Sequence, residues 1–252
     1  MKIIGIITAR MGSTRLPGKV MMDLAGKPVL EHLVDRVRDA DMVEEIVIAT
    51  SEKPGNEPIV ELAERCGIRA FRGKDDDVLD RYVNIMRKWD AENCVRLCAD
   101  NPLTDMETTK NLAGIHLEGD CDYSCVKGLQ LQLGLTEIVS RKALETIYQE
   151  APEGFRRESF TITIREQPDR FKIATLPPDP FIHQSPFRLT LDYEEDMQLL
   201  REIFRRLYRG RPIRFREALE LLRDHPEIAS INSMKEQKQG NKYWEELDAK
   251  LP

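Results

Sequence analysis

The sequence is short of the residues that usually announce a disulfide scaffold, a metal centre or a membrane protein. It has five cysteines and four histidines among 252 residues. An odd cysteine count without secretory signals reads as reduced thiols rather than a disulfide framework. Cys94 with Cys98, and Cys121 with Cys125, form C-x-x-x-C pairs. Cys94–Cys98 lies in an expected strand, where four steps span about 13 Å, too far for two ligands of one zinc. His32, His116, His183 and His225 share no spacing that marks a ligand set or an acid–base pair, and read as structural or surface residues. There is no basic excess: the formal charge is -6, against the footprint of a general nucleic-acid binder. Any anion must therefore be met by a local basic cluster. No run approaches the roughly 20 apolar residues of a membrane span. The apolar stretch at Met1–Arg10 lacks a basic start, a long apolar core and a small-residue cleavage site, so a cytoplasmic protein is expected. No internal repeat or low-complexity tract is present.

The composition is 41% hydrophobic, enough for a full core in one large α/β domain. Lys2–Ala9 is a short β-branched run entering a Gly/Pro-punctuated loop, as a buried parallel strand does at a ligand-facing edge. Pro28–Asp41 places Val29, Leu30, Leu33, Val34 and Val37 at helical spacing. Glu44–Ser51 and Ile68–Gly73 read as strands, Pro58–Cys66 and Asp76–Asp90 as helices, and "NCVRLCAD" as a fourth strand ending in Asp100-Asn101-Pro102. This alternation predicts a three-layer α/β/α, Rossmann-like, mostly parallel sheet. From Leu129 the rhythm changes. "LQLQLGLTEIVS" and "ESFTITIREQPDRFKIATL" alternate with period two and predict antiparallel or mixed strands with one wet face, with a helix at Arg141–Glu150 between them. "FRLTLDYEEDMQLLREIFRRL" predicts strand then helix, and Glu217–Arg223 a shorter helix. The expected organisation is one domain over 1–234, with a mixed-strand excursion at 129–191 and a polar tail over 235–252.

The chemistry concentrates in "ARMGSTRLPGK". It is not a P-loop, because five residues separate Gly12 from Gly18 and Val20 stands where a Mg²⁺-binding hydroxyl belongs. Nor does a G-x-G-x-x-G follow the first strand. What remains is Arg10, Gly12, Ser13, Thr14, Arg15, Gly18 and Lys19. Glycines admit backbone N–H groups to a polyphosphate, hydroxyls add donors, and Arg15 and Lys19 neutralise charge. The competing reading is a solvated basic turn capping a helix.

The segment "ITARMGSTRLPGKVMMDLAGKPVLEHLVDRV" resembles the amino-terminal signature of the sugar-acid cytidylyltransferases, the group of CMP-Kdo and CMP-sialic acid synthetases. "IVIATS", "FRGKDDDVLDRY", "VRLCADNPLTD" and "RLTLDYEEDMQLLREIF" resemble most the SpsF branch, named for spore-coat polysaccharide biosynthesis. The resemblance extends from Ile3 to about Asn232. It implies transfer of CMP from CTP to a sugar acid, with release of pyrophosphate. It implies that Ala9, Arg10, Gly12, Ser13, Thr14, Arg15 and Lys19 hold the nucleotide, Lys19, Arg15 and Asp100 acting in catalysis. It also implies that Asp100 and Asp192 bind Mg²⁺. Asp80 and Arg81 are expected near the nucleotide. The physical logic agrees: two carboxylates at the carboxyl ends of strands face the loop's edge, where a hard cation bridging to phosphate oxygens aids in-line displacement. The alternatives are that Asp100 is a turn residue and Asp192 a helix N-cap. Asp75-Asp76-Asp77 reads as a solvated cap, although it formally contains the D-x-D of nucleotide-sugar-dependent glycosyltransferases.

Three departures fall on the acceptor side. Ala99 replaces the family's glycine before Asp100, Ser159 stands where relatives carry histidine, and "GLTEIVS", including Thr136, replaces a G-L-D-V-E-V-type strand. Arg156 and Arg157 are the candidates for an acceptor carboxylate or phosphonate, and surface charge is the alternative. The expected partners are CTP and an acidic small molecule, with no nucleic acid or membrane, in a homodimer formed through the excursion. A non-catalytic nucleotide-binding module is the remaining alternative.

Overall fold

The structure, a computed structural model, describes residues 2–128, 133–134, 136–150, 159–177, 179–183, 185–234 and 246–252. The β-branched runs form strands as their composition requires. β1 is Ile3–Thr8, followed by a short hairpin of β2 (Asp23–Leu24) and β3 (Lys27–Pro28), then α1 (Val29–Ala40) and β4 (Glu45–Ser51). α2 (Glu57–Arg65), β5 (Arg69–Gly73), α3 (Val78–Lys88) and β6 (Asn93–Cys98) continue the alternation, and α4 (Met106–Glu118), β7 (Tyr123–Val126), β8 (Glu137–Ser140) and α5 (Arg141–Glu150) extend it. The remaining main elements are α6 (Thr161–Glu166), β9 (Ile173–Leu176), α7 (Glu194–Leu207) and α8 (Phe215–Asp224).

The described strands form a seven-stranded sheet in the order β5-β4-β1-β6-β8-β7-β9. β5, β4, β1 and β6 are parallel neighbours; β8 runs antiparallel between β6 and β7, and β9 is parallel to β7. The predicted α/β class and mostly parallel sheet are therefore present. Helices cover both faces. Leu30, Leu33, Val34 and Val37 of α1 pack with Ile59 of α2 and Leu112 of α4 on one face, while Leu79, Tyr82, Ile85 and Met86 of α3 pack with Leu144 and Ile147 of α5 on the other. A third apolar cluster joins α7 and α8 to Leu24, Val29 and Leu103, seating the hairpin and the end of β6 on the carboxyl-terminal helices.

Several local expectations need correction. Thr161–Glu166 is a helix, not an alternating strand. Both parities of the alternation, Phe160, Ile162 and Ile164 as well as Thr161, Thr163 and Arg165, are buried, so there is no wet face for period two to report. Residues 187–191 pair with no sheet strand. They run beside the end of β6, where Leu191 N–H donates to the Asp100 carbonyl at 2.8 Å. α4 and β7, which the alternation did not reveal, are present, α4 being opened by Asp105, whose carboxylate accepts from the N–H groups of Glu107 and Thr108. Residues 129–132 and 135, part of the expected excursion, lie outside the described residues. At the other end of the chain, Leu247 and Leu251 are buried, and Asp248 pairs with Arg165.

His116 is 1% exposed, accepting from the Ser124 hydroxyl at Nδ1 (2.8 Å) and donating from Nε2 to Asn93 Oδ1 (3.0 Å). Burial lowers its pKa from 6.5 to about 4. The unfolded chain takes up the proton first, so stability falls with decreasing pH between these values. Chemical denaturation at pH 7 and pH 5 should show a loss of about 2 kcal/mol from this residue, absent in His116→Gln.

Candidate active site

Loop 10–19 is shaped by its own backbone. Gly18 adopts φ 70°, a left-handed conformation natural to glycine, and its N–H returns to the Met11 carbonyl at 3.0 Å. Ser13 Oγ accepts from Leu16 N–H, and Asn56 Oδ1 accepts from Met11 N–H at 2.9 Å. The second Gly-Lys pair has another role. Ala25 and Gly26, both at positive φ, turn the β2–β3 hairpin, and Lys27 pairs with Asp35 at 2.5 Å.

The loop opens onto a cleft at the carboxyl ends of β1 and β6. Ala9, Arg10, Ser13, Thr14, Arg15 and Lys19 line it. Arg81 and Asp100 stand across from them, with Asp192 and Ser159 completing the wall. Lys19 Nζ donates to Asp100 Oδ2 at 2.8 Å, to Asp192 Oδ1 at 2.9 Å and to the Leu191 carbonyl at 2.6 Å. Burial opposes the ammonium, but Asp100 and Asp192 outweigh it and hold the Lys19 pKa above its ordinary value. Arg15 reaches Asp192 Oδ1 at 2.7 Å and lies over the Tyr193 ring, 5.1 Å from its centroid. Arg188 holds Asp192 Oδ2 at 2.8 Å. Burial raises the Asp192 carboxyl, yet Lys19, Arg15 and Arg188 leave it below the usual carboxylate range. The carboxylate is thus kept ionised by three cations.

Asp192 is not the N-cap of α7. Asp196, in the first turn, accepts from the N–H groups of Asp192 and Tyr193 at 2.8 and 2.9 Å, leaving the Asp192 side chain free to meet the loop. Asp196 is itself held by Arg188 Nε at 3.0 Å and Asn232 Nδ2 at 2.8 Å. Between the two aspartate segments, Thr190 donates to Asn101 Oδ1 at 2.9 Å. Arg188, Asp196, Asn232 and Asn101 were not foreseen. A charged residue inside the alternating "RLTLD" was the available signal for Arg188.

Asp80 does not line the cleft. Consecutive helical residues point about 100° apart, and the position that sends Arg81 inward turns Asp80 toward α5, where it accepts from the Tyr148 hydroxyl at 2.7 Å. Asp80→Asn should leave turnover within twofold of wild type in a steady-state assay. Arg81 is 2% exposed and donates to the Lys74 and Asp75 carbonyls, bracing the loop before α3. In the acidic run, Asp77 caps α3 by accepting from Asp80 N–H, and Asp75 pairs with Lys53 at 2.5 Å. Both are engaged structurally, which removes the support for a D-x-D reading. Gly12 is exposed, with open space where a Cβ would sit. Arg156 and Arg157 lie outside the described residues. Of the two altered acceptor-side residues, Ser159 lines the cleft, whereas Thr136 is buried against Thr109 of α4 at 3.2 Å. His32 is buried against Phe204 and Tyr208, and His225 is on the surface, so neither enters the site.

Asp100 Oδ2 and Asp192 Oδ1 converge on one cationic atom at the cleft wall. Two carboxylate oxygens meeting at one point suit magnesium, which takes one or two carboxylates and completes its shell with water and phosphate oxygens. No group of three or more His, Cys, Asp or Glu side chains among the described residues is placed to hold a metal by itself.

The family described as Cytidylyltransferase matches residues 4–248. The chain belongs to the cytidylyltransferase family. It is similar to the uncharacterised protein MJ1063 of Methanocaldococcus jannaschii, 35% identical over 94% of this chain and 97% of that protein. It is also similar to the spore coat polysaccharide biosynthesis protein SpsF of Bacillus subtilis, 32% identical over 90% of this chain and 97% of that one. Its fold matches a cytidylyltransferase structure from Leptospira borgpetersenii with a TM-score of 0.85 at 24% identity, covering 95% of this chain and 100% of that chain. The resemblance read from the opening loop and the two aspartate turns is thereby confirmed at the level of family and fold, and the enzyme is a nucleotidyltransferase.

Proposed function

We propose that the enzyme transfers CMP from CTP to an acidic sugar or related acceptor and releases pyrophosphate. The observation that carries this reading is the convergence of Lys19, Asp100 and Asp192 at the mouth of a loop rich in phosphate donors. Arg10, Ser13, Thr14 and Arg15 present donors to the triphosphate, and Lys19, released from its carboxylates, meets the charge that grows on the departing pyrophosphate. Asp100 and Asp192 would hold magnesium, which when bound supplies charge neutralisation for an in-line displacement at the α-phosphorus. Positioning and electrostatics dominate such a reaction, so no histidine base is required.

The SpsF relationship supports a place in surface polysaccharide biosynthesis. No helix among the described residues is long and apolar enough to cross a membrane, and we place the enzyme in the cytoplasm as a homodimer built on the 129–191 excursion. Gel filtration showing only a species of about one chain mass at every concentration refutes the dimer.

Thermal stabilisation by CTP, ATP, GTP and UTP, each with and without Mg²⁺, tests the nucleotide site. A Mg²⁺-dependent shift largest for CTP is expected. Equal shifts for all four, or none, would refute CTP as the substrate.

A further inference from the structure

β6 carries a second charge into the cleft. Arg96 and Cys98 share one face of β6, and Arg96 is set about 7 Å back along the strand from its carboxyl end, where Asp100 follows in a turn. Arg96 lines the cleft beside Ser159. An arginine in an otherwise apolar buried strand needs a partner, and it has one. Glu137 of β8, its register partner across the sheet, is fully buried and accepts from Arg96 Nη1 at 2.9 Å. The Glu137 carboxylate is held on both oxygens: it also accepts from the Thr161 hydroxyl at 3.1 Å and the Tyr123 hydroxyl, and Arg165, whose Nε donates to the Tyr123 hydroxyl, lies 3.5 Å away. It therefore serves as an anchor. The Phe160 ring lies 5.5 Å from the guanidinium carbon. Arg96 is clamped through one nitrogen and one face, and its Nε has no hydrogen-bond partner among the described residues.

The charge balance points the same way. Arg10, Arg15, Lys19, Arg81 and Arg96 line the cleft against Asp100 and Asp192. Arg15 and Lys19 are tied to those two carboxylates, and Arg81 to loop carbonyls, whereas among the described residues Arg96 is held from behind by Glu137 and on one face by the Phe160 ring. A guanidinium held from behind presents its remaining N–H donors to a planar oxyanion.

We propose that Arg96 is a specificity-determining residue that receives the anionic group of the acceptor, a carboxylate or phosphonate, and that Glu137 is the positioning residue that holds it there. This inference rests on the cytidylyltransferase reading above. It names a residue of the acceptor site, and places that site on the β8 side of the cleft.

The test measures binding to enzyme saturated with α,β-methylene-CTP and Mg²⁺, so that no turnover intervenes. The probes are 3-deoxy-manno-octulosonate, N-acetylneuraminate and 2-aminoethylphosphonate, with the methyl esters of the two sugar acids as uncharged controls. At least one anion is expected to bind wild type, and the carboxylate and phosphonate arms tell which oxyanion is preferred. Arg96→Ala should weaken that anion at least tenfold while leaving the nucleotide analogue within twofold and its discrimination between acid and ester abolished. Arg96→Lys, which keeps the charge and the Glu137 pair but loses the fork, guards against a folding defect and should weaken the anion severalfold. Glu137→Gln should weaken the anion with the nucleotide unaffected. Equal losses for nucleotide and anion, or binding of the analogue with no anion bound, overturns the proposal alone. Failure of wild type to bind the analogue overturns the cytidylyltransferase reading and this inference with it.

Discussion

Lys19→Met is expected to lower pyrophosphate release from CTP by about 10²–10³-fold, the typical cost of losing one preorganised donor to a developing negative charge. The change removes an ammonium that touches both Asp100 and Asp192. Without it the two carboxylates face each other across the cleft mouth. Asp192 retains Arg15 and Arg188, whereas Asp100, among the described residues, keeps Asn101 Nδ2 at 3.2 Å. The variant should therefore require less Mg²⁺ for half-maximal CTP-induced thermal stabilisation, because the metal no longer competes with an ammonium, even though turnover is lost. A steady-state assay and a Mg²⁺ titration of thermal stabilisation separate the two effects. An unchanged kcat would remove Lys19 from the machinery. Acid has its own effect on this cluster. The Asp192 pKa is depressed by Lys19, Arg15 and Arg188 against the opposing effect of burial, so its contribution is complete above 3.8 and is lost as pH falls through the lower folded value.

Glu137→Leu is expected to be the most damaging single change in stability, costing about 3–5 kcal/mol, the range for breaking a buried ion pair by removing one partner. For a chain of this size that corresponds to a fall in Tm of about 10 °C. Arg96 loses the Glu137 counter-charge across the sheet, and Arg165, 1% exposed, loses one of its two carboxylate neighbours while keeping Asp248 and the Tyr123 hydroxyl. Burial raises the Glu137 pKa, but Arg96 and Arg165 more than offset it, so the carboxylate is charged and its loss is a loss of charge. The double change Glu137→Leu with Arg96→Leu should recover part of the deficit, because an apolar pair costs less than an unpaired cation. Differential scanning calorimetry of wild type, Glu137→Leu, Arg96→Leu and the double variant gives the coupling. No recovery in the double variant would show that packing, not charge, dominates the site.

The fold was legible wherever local chemistry agreed with tertiary demand. β1 and β4 are largely buried β-branched runs, β6 is a short, mostly buried run ending at a turn, and α1 and α3 carry apolar residues at spacings of three and four. The loop and both aspartates were legible because each sits where a strand or extended segment meets a helix, a place where side chains face a ligand edge. Thr161–Glu166 was misread because alternation reports one buried face, and this segment is buried on all sides. Arg96 and Arg188 could be seen as charges in apolar surroundings, yet their partners Glu137 and Asp196 become apparent only when β8 and α7 are folded against them. Asp80 was misassigned because adjacency in sequence to Arg81 is separation on a helix.

The position of β8 between β6 and β7 also constrains the order in which the molecule can assemble. β5, β4, β1 and β6 all derive from residues 3–98 and bond to one another, so that half of the sheet can form from nearby sequence. β7 precedes β8 in the chain but reaches the rest of the sheet only through it. The nucleotide loop can therefore acquire its shape while the opposite wall is still absent, and Arg96 waits without its counter-charge until a later segment inserts. Folding of the acceptor wall is thus coupled to completion of the sheet, and an error in that insertion exposes a buried cation and two unpaired strand edges at once.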